Sequence, residues 1–245
     1  MKKLIIILSL VSITQCKESK SEAESKSPKT DLTREIPQGL QIGFLNLEGG
    51  ISNSMEFVLS LKKYLAAPNV KGLLLRINSG GGAPAASWHI YNELVHFRKF
   101  KPVVVLVENM AASGAYWAAC GGNIIITAPV AELGSIGAYL RTFTQKNRRI
   151  NSKDGICAEI EPLIISAGKY KAANVEGIGY SKVQADHQRK LLDQLYEEFY
   201  TSVARERKLD LDKKEEWAEG REFIGTEAIK IGLADKIGSI TDAEQ

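Results

Sequence analysis

Histidine is scarce in this chain. Only His89, His96 and His187 occur in 245 residues. His89 and His96 fall within one expected helix, and His187 just precedes another, so none sits in a loop at a strand end. A Ser–His–Asp arrangement therefore finds no support. Cysteine is equally sparse, with Cys16, Cys120 and Cys157. No CxxC pair or Cys/His cluster is present to hold a metal, and no cofactor is called for. An odd cysteine count outside the cytosol leaves one cysteine for a separate task. Cys120 follows a small-residue helical pattern and is expected to be a buried free thiol; a Cys120–Cys157 disulfide is the alternative. The formal net charge is only +3, with basic residues scattered among acidic ones, which gives no reason to expect nucleic acid. There is no internal repeat, no GxGxxG fingerprint and no phosphate loop ending in GK[ST].

No long apolar span is present either. The longest candidate is Leu4 to Ile13, behind Lys2 and Lys3. It is too short for a stable transmembrane helix and reads as a secretory signal. It ends at Cys16, and Ile13-Thr14-Gln15-Cys16 resembles a bacterial lipobox, in which the cysteine is lipidated. Gln15 departs from the small residue usual before that cysteine. Residues 17–36 are rich in Ser, Lys and Glu and cannot bury enough apolar surface to fold, so they read as a flexible polar tether. The expected organisation is a lipoprotein-type signal peptide over 1–16, the tether over 17–36 and a folded domain over 37–245. The expected location is the cell envelope, on a membrane anchor facing the periplasm or exterior.

Within the domain, apolar strands alternate with helical patterns. Strands are expected at Gln41–Leu47, Val70–Asn78, Val103–Val107, Ile124–Thr127 and Ala158–Ser166. Helices are expected at Met55–Ala66, Ala85–Phe97, a short stretch after Ser113, and Lys190–Arg207. Fully apolar strands between helices imply an α/β fold with a mostly parallel sheet covered on both faces.

Three loops carry candidate chemistry. Asn78-Ser79-Gly80-Gly81-Gly82 can turn backbone amides toward a ligand, or can be a plain structural turn. Ser113 opens a helix of small residues, where developing negative charge is favoured and the Gly114 amide is close by; such a serine alone is more often an N-cap. Ser166-Ala167-Gly168-Lys169-Tyr170-Lys171 offers a base, because a buried lysine can replace histidine, although lysines are usually solvated.

Together the stretches LRINSGGG, ENMAASGAYWAAC, GSIGAYL, ISAGKYK and EGREFIGTEAIKIGLADKIG, in that order, resemble the signal peptide peptidase A family of serine proteases in its short, single-repeat form. The resemblance covers about Ile42 to Gly238. It implies a crotonase-like or ClpP-like fold, with Ser113 as nucleophile and Lys171 as base in preference to Lys169. It also implies an oxyanion hole from Gly114 and the Gly81–Gly82 turn. It further implies peptide substrates such as signal peptide remnants or other small or unfolded peptides, and ring-like homo-oligomers in which serine and lysine meet across a subunit boundary. Two positions depart from the pattern: Gly80 replaces a proline, and Ala115 a glycine. The alternatives are a non-catalytic peptide-binding scaffold of the same fold, a crotonase-type acyl-CoA enzyme, and a capsid-maturation-like protease, which would not carry an export signal.

If Cys16 carries the anchor, metabolically incorporated palmitate labels the wild-type chain and is lost in Cys16→Ser. Label persisting in that variant excludes lipidation at this position.

Overall fold

The computed structural model describes residues 5–8, 39, 41–146, 159–168 and 182–244. Ten strands and seven helices lie among them. The strands are β1 (Ile5–Leu8), β2 (Gln41–Ile51), β3 (Val70–Gly82), β4 (Val103–Ala112), β5 (Ile124–Thr127), β6 (Glu132–Gly134), β7 (Ala138–Lys146), β8 (Glu159–Ala167), β9 (Glu222–Ile224) and β10 (Lys236–Ile237). The helices are α1 (Met55–Ala66), α2 (Pro84–Phe97), α3 (Gly114–Ala119), α4 (Lys182–Arg207), α5 (Lys214–Trp217), α6 (Gly225–Lys230) and α7 (Ile240–Ala243).

The architecture is the expected α/β one. A parallel sheet runs in the order β1-β2-β3-β4-β5-β10, with β6 attached to β4 and β9 antiparallel to β6. Its central strands are near-continuous runs of Leu, Ile and Val, because both faces are covered. On one face Leu45, Leu47, Leu73, Leu75, Ile77, Val105 and Val107 pack under α1, α2 and α3. On the other, Phe44, Leu74, Leu106 and Ile126 form a smaller cluster that Ala243 of α7 joins. Alternate residues along each strand thus serve opposite faces.

The central strands run further than their apolar cores. β3 continues through Ser79 to Gly82, and β4 through Met110 to Ala112. The polar and glycine residues that read as loops still pair: Gly50 with Gly81, Ile51 with Gly82, and Ser79 with Ala111. Register shifts after Glu48 and after Ile77 mark where the ladder bends at this end of the sheet. The N-terminal Ile5–Leu8, part of the expected signal peptide, pairs in parallel with Gln41–Phe44 as an edge strand. Cys120 is a buried free thiol, and burial pushes it up to about 12. Cys16 and Cys157 lie outside the described residues. None of the described helices is long and apolar enough to cross a membrane.

Helix α4 is braced against α2 and the end of α3 by a polar knot. Glu206 near its end accepts hydrogen bonds from Tyr91 (2.6 Å) and from Arg98. Arg98 also donates to the carbonyls of Cys120 and Gly122 just beyond α3, at 3.3 and 3.0 Å. Burial alone would raise the Glu206 carboxyl, but the bonds from Tyr91 and Arg98 outweigh it and hold it below its ordinary value. The carboxylate is therefore stabilising above the unfolded carboxyl range, and that contribution disappears as pH falls through its folded value. Glu206→Gln should cost about 2 kcal/mol in urea unfolding at neutral pH, with the difference from wild type shrinking in acid. An equal difference at both pH values would remove the charge from the account.

Candidate active site

Ser113 stands where β4 hands over to α3, and its backbone is the most unusual feature of that junction. Its φ is 55° and ψ −129°, a region that side chains avoid, at a cost of order 1–3 kcal/mol. The surroundings hold it there. Its amide donates to the Gly134 carbonyl at 2.8 Å, and its carbonyl accepts from the Trp117 amide at 3.1 Å. Gly134 in turn belongs to β6, which pairs with Met110–Ala112 on one side and with β9 on the other. Ser135 donates to the Arg221 carbonyl (2.5 Å) and Gly220 to that of Ile136 (2.9 Å). The sequence stretches GSIG and EGREFIG, which hold the end of β6 and all of β9, are thus locked together beside the serine. The Ser113 side chain makes no cap hydrogen bond to α3, so the ordinary role of a helix-leading serine is not the one it plays.

The glycine-rich end of β3 comes against this turn. Gly81 has φ 90°, and a Cβ built there would lie 2.6 Å from the Gly114 nitrogen and 2.8 Å from the Ser113 Cβ. A Cβ on Gly114 would lie 2.1 Å from Ser87 Oγ on α2, and one on Gly82 would lie 2.1 Å from the Ile51 carbonyl oxygen. Only residues without side chains permit this approach. Ser79 fixes the turn: its hydroxyl donates to the Gly49 carbonyl at 2.5 Å and accepts the Gly81 amide at 3.1 Å. Beyond Gly82 the ladder to β2 is carried by the Ala83 amide, donated to Ile51 at 2.7 Å. The two departures noted in the sequence are easily accommodated. Ala115 is fully buried inside α3, and a Cβ on Gly80 would meet only Met110 Sδ, at an ordinary 3.7 Å.

Ser113, Gly80, Gly81, Gly82 and Gly114 line the head of a cleft of about 360 Å³. Its walls are apolar: Trp117 of α3, Ala138 and Tyr139 of β7, and Leu192, Leu195 and Phe199 of α4. Phe199 stacks on Trp117 with ring centres 4.7 Å apart. In the sequence, Leu191, Leu192, Leu195, Phe199 and Val203 form one apolar side of the expected helix Lys190–Arg207. In the structure Leu192, Phe199 and Val203 are buried, whereas Leu191 and Leu195 remain 42% and 40% exposed. Part of the stripe, Leu195 among it, therefore walls the cleft, which the spacing of apolar residues alone does not reveal.

Among the described residues, no histidine and no acidic residue lines this cleft. Of the expected site residues, Ser113, Gly81, Gly82 and Gly114 come together. Lys171, its neighbour Lys169 and Cys16 lie outside the described residues. The strand leading to the lysines is β8, whose last residue Ala167 pairs with Ala138 in the cleft wall. Gly168, which follows, packs beside Glu219 and Gly220.

Peptidase family S49 matches residues 96–245, more than half of the chain and the part that holds Ser113. The chain belongs to Peptidase family S49. A Synechocystis sp. protein with a protease name is 31% identical over 206 residues, 84% of this chain and 72% of that protein. A Methanocaldococcus jannaschii protein, also with a protease name, is 33% identical over 175 residues, 71% of this chain. The chloroplastic serine protease SPPA of Arabidopsis thaliana is 29% identical over 202 residues, 82% of this chain. The S49 chain spans about half (54%) of the Methanocaldococcus relative and 29% of the Arabidopsis one. The family and the α/β fold expected from the five motifs both stand.

The glycine contacts set two opposite outcomes. Gly80→Ala in this S49 domain should raise stability by about 0.5 kcal/mol, since the position is unstrained and open. Gly82→Ala should lower it by at least about 2 kcal/mol, because the ladder to Ile51 must give way. Thermal unfolding of the two variants checks this; equal effects would show that the close approach is not a constraint.

Proposed function

We propose that this chain is a serine peptidase of the cell envelope that works with a Ser–Lys dyad, Ser113 attacking and Lys171 serving as general base. The observation that carries the reading is the strained, non-capping Ser113, set beside the Gly82 and Gly114 backbone at the head of an apolar cleft. Strain at a serine that does no capping is typical of a group held for chemistry.

In this mechanism the neutral Lys171 amine takes the proton from Ser113 Oγ as the oxygen attacks a peptide carbonyl. The carbonyl electrons move onto oxygen. Because the Gly81 amide is already given to Ser79, the amides of Gly82 and Gly114 are the donors that stabilise this oxyanion. Each such donor is worth roughly 3–4 kcal/mol in comparable sites. Collapse breaks the C–N bond, and Lys171 returns its proton to the leaving amine. Water, deprotonated by the same lysine, then releases the acyl group from Ser113.

Lys171 follows Gly168 by three residues, a reach of at most about 11 Å, and Gly168 directly follows the strand that pairs with the cleft wall. The lysine therefore serves either its own Ser113 or that of a neighbouring subunit in a homo-oligomer, as the resemblance implies. The substrates are extended peptides with small or apolar side chains, signal peptide remnants among them. They suit a cleft walled by Trp117, Leu192 and Phe199.

A fluorophosphonate probe should label the wild-type protein, and Ser113→Ala should abolish labelling. Equal labelling of both removes Ser113 from the nucleophile's role. In a peptidase assay, Lys171→Ala should lose activity by a factor of order 10³ or more, while Lys169→Ala keeps a wild-type pH profile. The reverse pattern would move the base to Lys169.

A further inference from the structure

The end of the sheet opposite the cleft carries an uneven charge. From residue 57 to residue 107 the chain has seven Lys or Arg residues and one acid, Glu93. Arg76 is held by Glu48 and Glu108, and Arg98 by Glu206. Of the other five, Lys62 and Lys63 lie on α1, and Lys71, Lys99 and Lys101 gather where β3 and β4 begin. Lys71 is exposed on β3, Lys99 is exposed just past α2, and Lys101 precedes β4. The Lys101 amine donates to the Tyr64 and Ala67 carbonyls at the end of α1, at 2.6 and 2.7 Å. Lys71 donates to the Pro68 carbonyl at 2.8 Å. Burial and the nearby positive charge of Lys71 both hold the Lys101 amine below its ordinary value, so these cations sit within each other's field. Glu206 and Asp235, which also reach this end, are ion-paired to Arg98 and Arg207 respectively. Between Lys99 and Lys101, Phe100 stands 66% exposed, one of the least covered large apolar side chains described.

The chain also enters the domain here. The Gln41 amide at the start of β2 donates to the Asn69 carbonyl at 2.9 Å, and the Asn69 side chain donates back to Gln41 at 3.1 Å. The start of β2, the part of the domain nearest in sequence to the expected anchor, therefore lies at this end.

We propose that the surface formed by Lys71, Lys99, Phe100 and Lys101 docks on anionic lipid headgroups and sets the orientation of the domain on its membrane. If residues 17–36 serve as the polar tether that their composition leads one to expect, a chain of 20 residues spans roughly 25 Å between anchor and domain. At that range the effective concentration of the membrane is high, so a few lysines and one aromatic suffice to choose a face. Phe100 inserts at headgroup level while the flanking amines meet phosphate. The cleft, at the far end of the ten residues of β4, then stands roughly 30 Å above the membrane and opens to the aqueous side. This inference rests on the envelope reading of the N-terminus, and the test separates the two.

The full chain is incubated with vesicles of phosphatidylcholine alone or with phosphatidylglycerol added, and its lysines are acetylated and mapped by mass spectrometry. The expected result is flotation with both vesicles. Lys71 and Lys99 should be protected only on the anionic ones, the exposed Lys190 on α4 should label equally, and the protection should disappear at high salt. A double variant, Lys99→Glu with Phe100→Ser, should float as before and lower Lys71 protection on the order of tenfold. A chain that floats but labels alike on both vesicles overturns the patch alone. Flotation with neither overturns the patch and the anchor together. Protection of these lysines by duplex DNA, without protection by vesicles, assigns the surface to nucleic acid and overturns the proposal.

Discussion

The contact between the glycine end of β3 and the turn at Ser113 is the constraint on which this structure depends. Two backbone segments, 81–82 and 113–114, lie so close that a Cβ added at Gly81 would sit 2.6 Å from the Gly114 nitrogen and 2.8 Å from the Ser113 Cβ. Everything around them keeps that distance. β2 runs long enough to pair with Gly81 and Gly82, β6 accepts the Ser113 amide, and Ser87 on α2 closes on Gly114. The strain at Ser113 persists because each of these partners fixes one side of it. Backbone amides held in this way do not reorganise when charge develops, which is the physical basis of oxyanion stabilisation.

Most of the fold was legible in the residues. Met55–Ala66 and Ile124–Thr127 form the elements that periodicity and apolar content assign, and the alternation of strands with helices gives the parallel sheet. The differences have local causes. Asn78–Gly82 reads as a loop because glycine weakens strands, yet it pairs because β2 carries its own Gly49–Gly50 alongside. β6, β9 and β10 have three, three and two residues, too short for any period to show. α4 begins eight residues before its apolar stripe suggests, since Lys182–Arg189 (KVQADHQR) is mostly polar and shows no apolar period.

The site was legible in part. The serine and the glycines stood out as two of three strand-end loops, and the fold brings Ser113, Gly81, Gly82 and Gly114 together. The cleft walls did not stand out. Trp117, Tyr139 and Leu195 come from three elements distant in sequence, and which of them flank Ser113 depends on how α4 crosses α3. No local pattern encodes that crossing; the Trp117–Phe199 stack and the Glu206 knot set it.

The central claim is that Ser113 Oγ becomes covalently acylated during turnover. A slowly hydrolysed peptide ester, quenched in acid during the steady state and mapped by proteolysis and mass spectrometry, tests this directly. The account predicts an acyl adduct on the fragment that contains Ser113, forming and decaying at the rate of product release. Turnover with no adduct, or with the adduct on another residue, would contradict it.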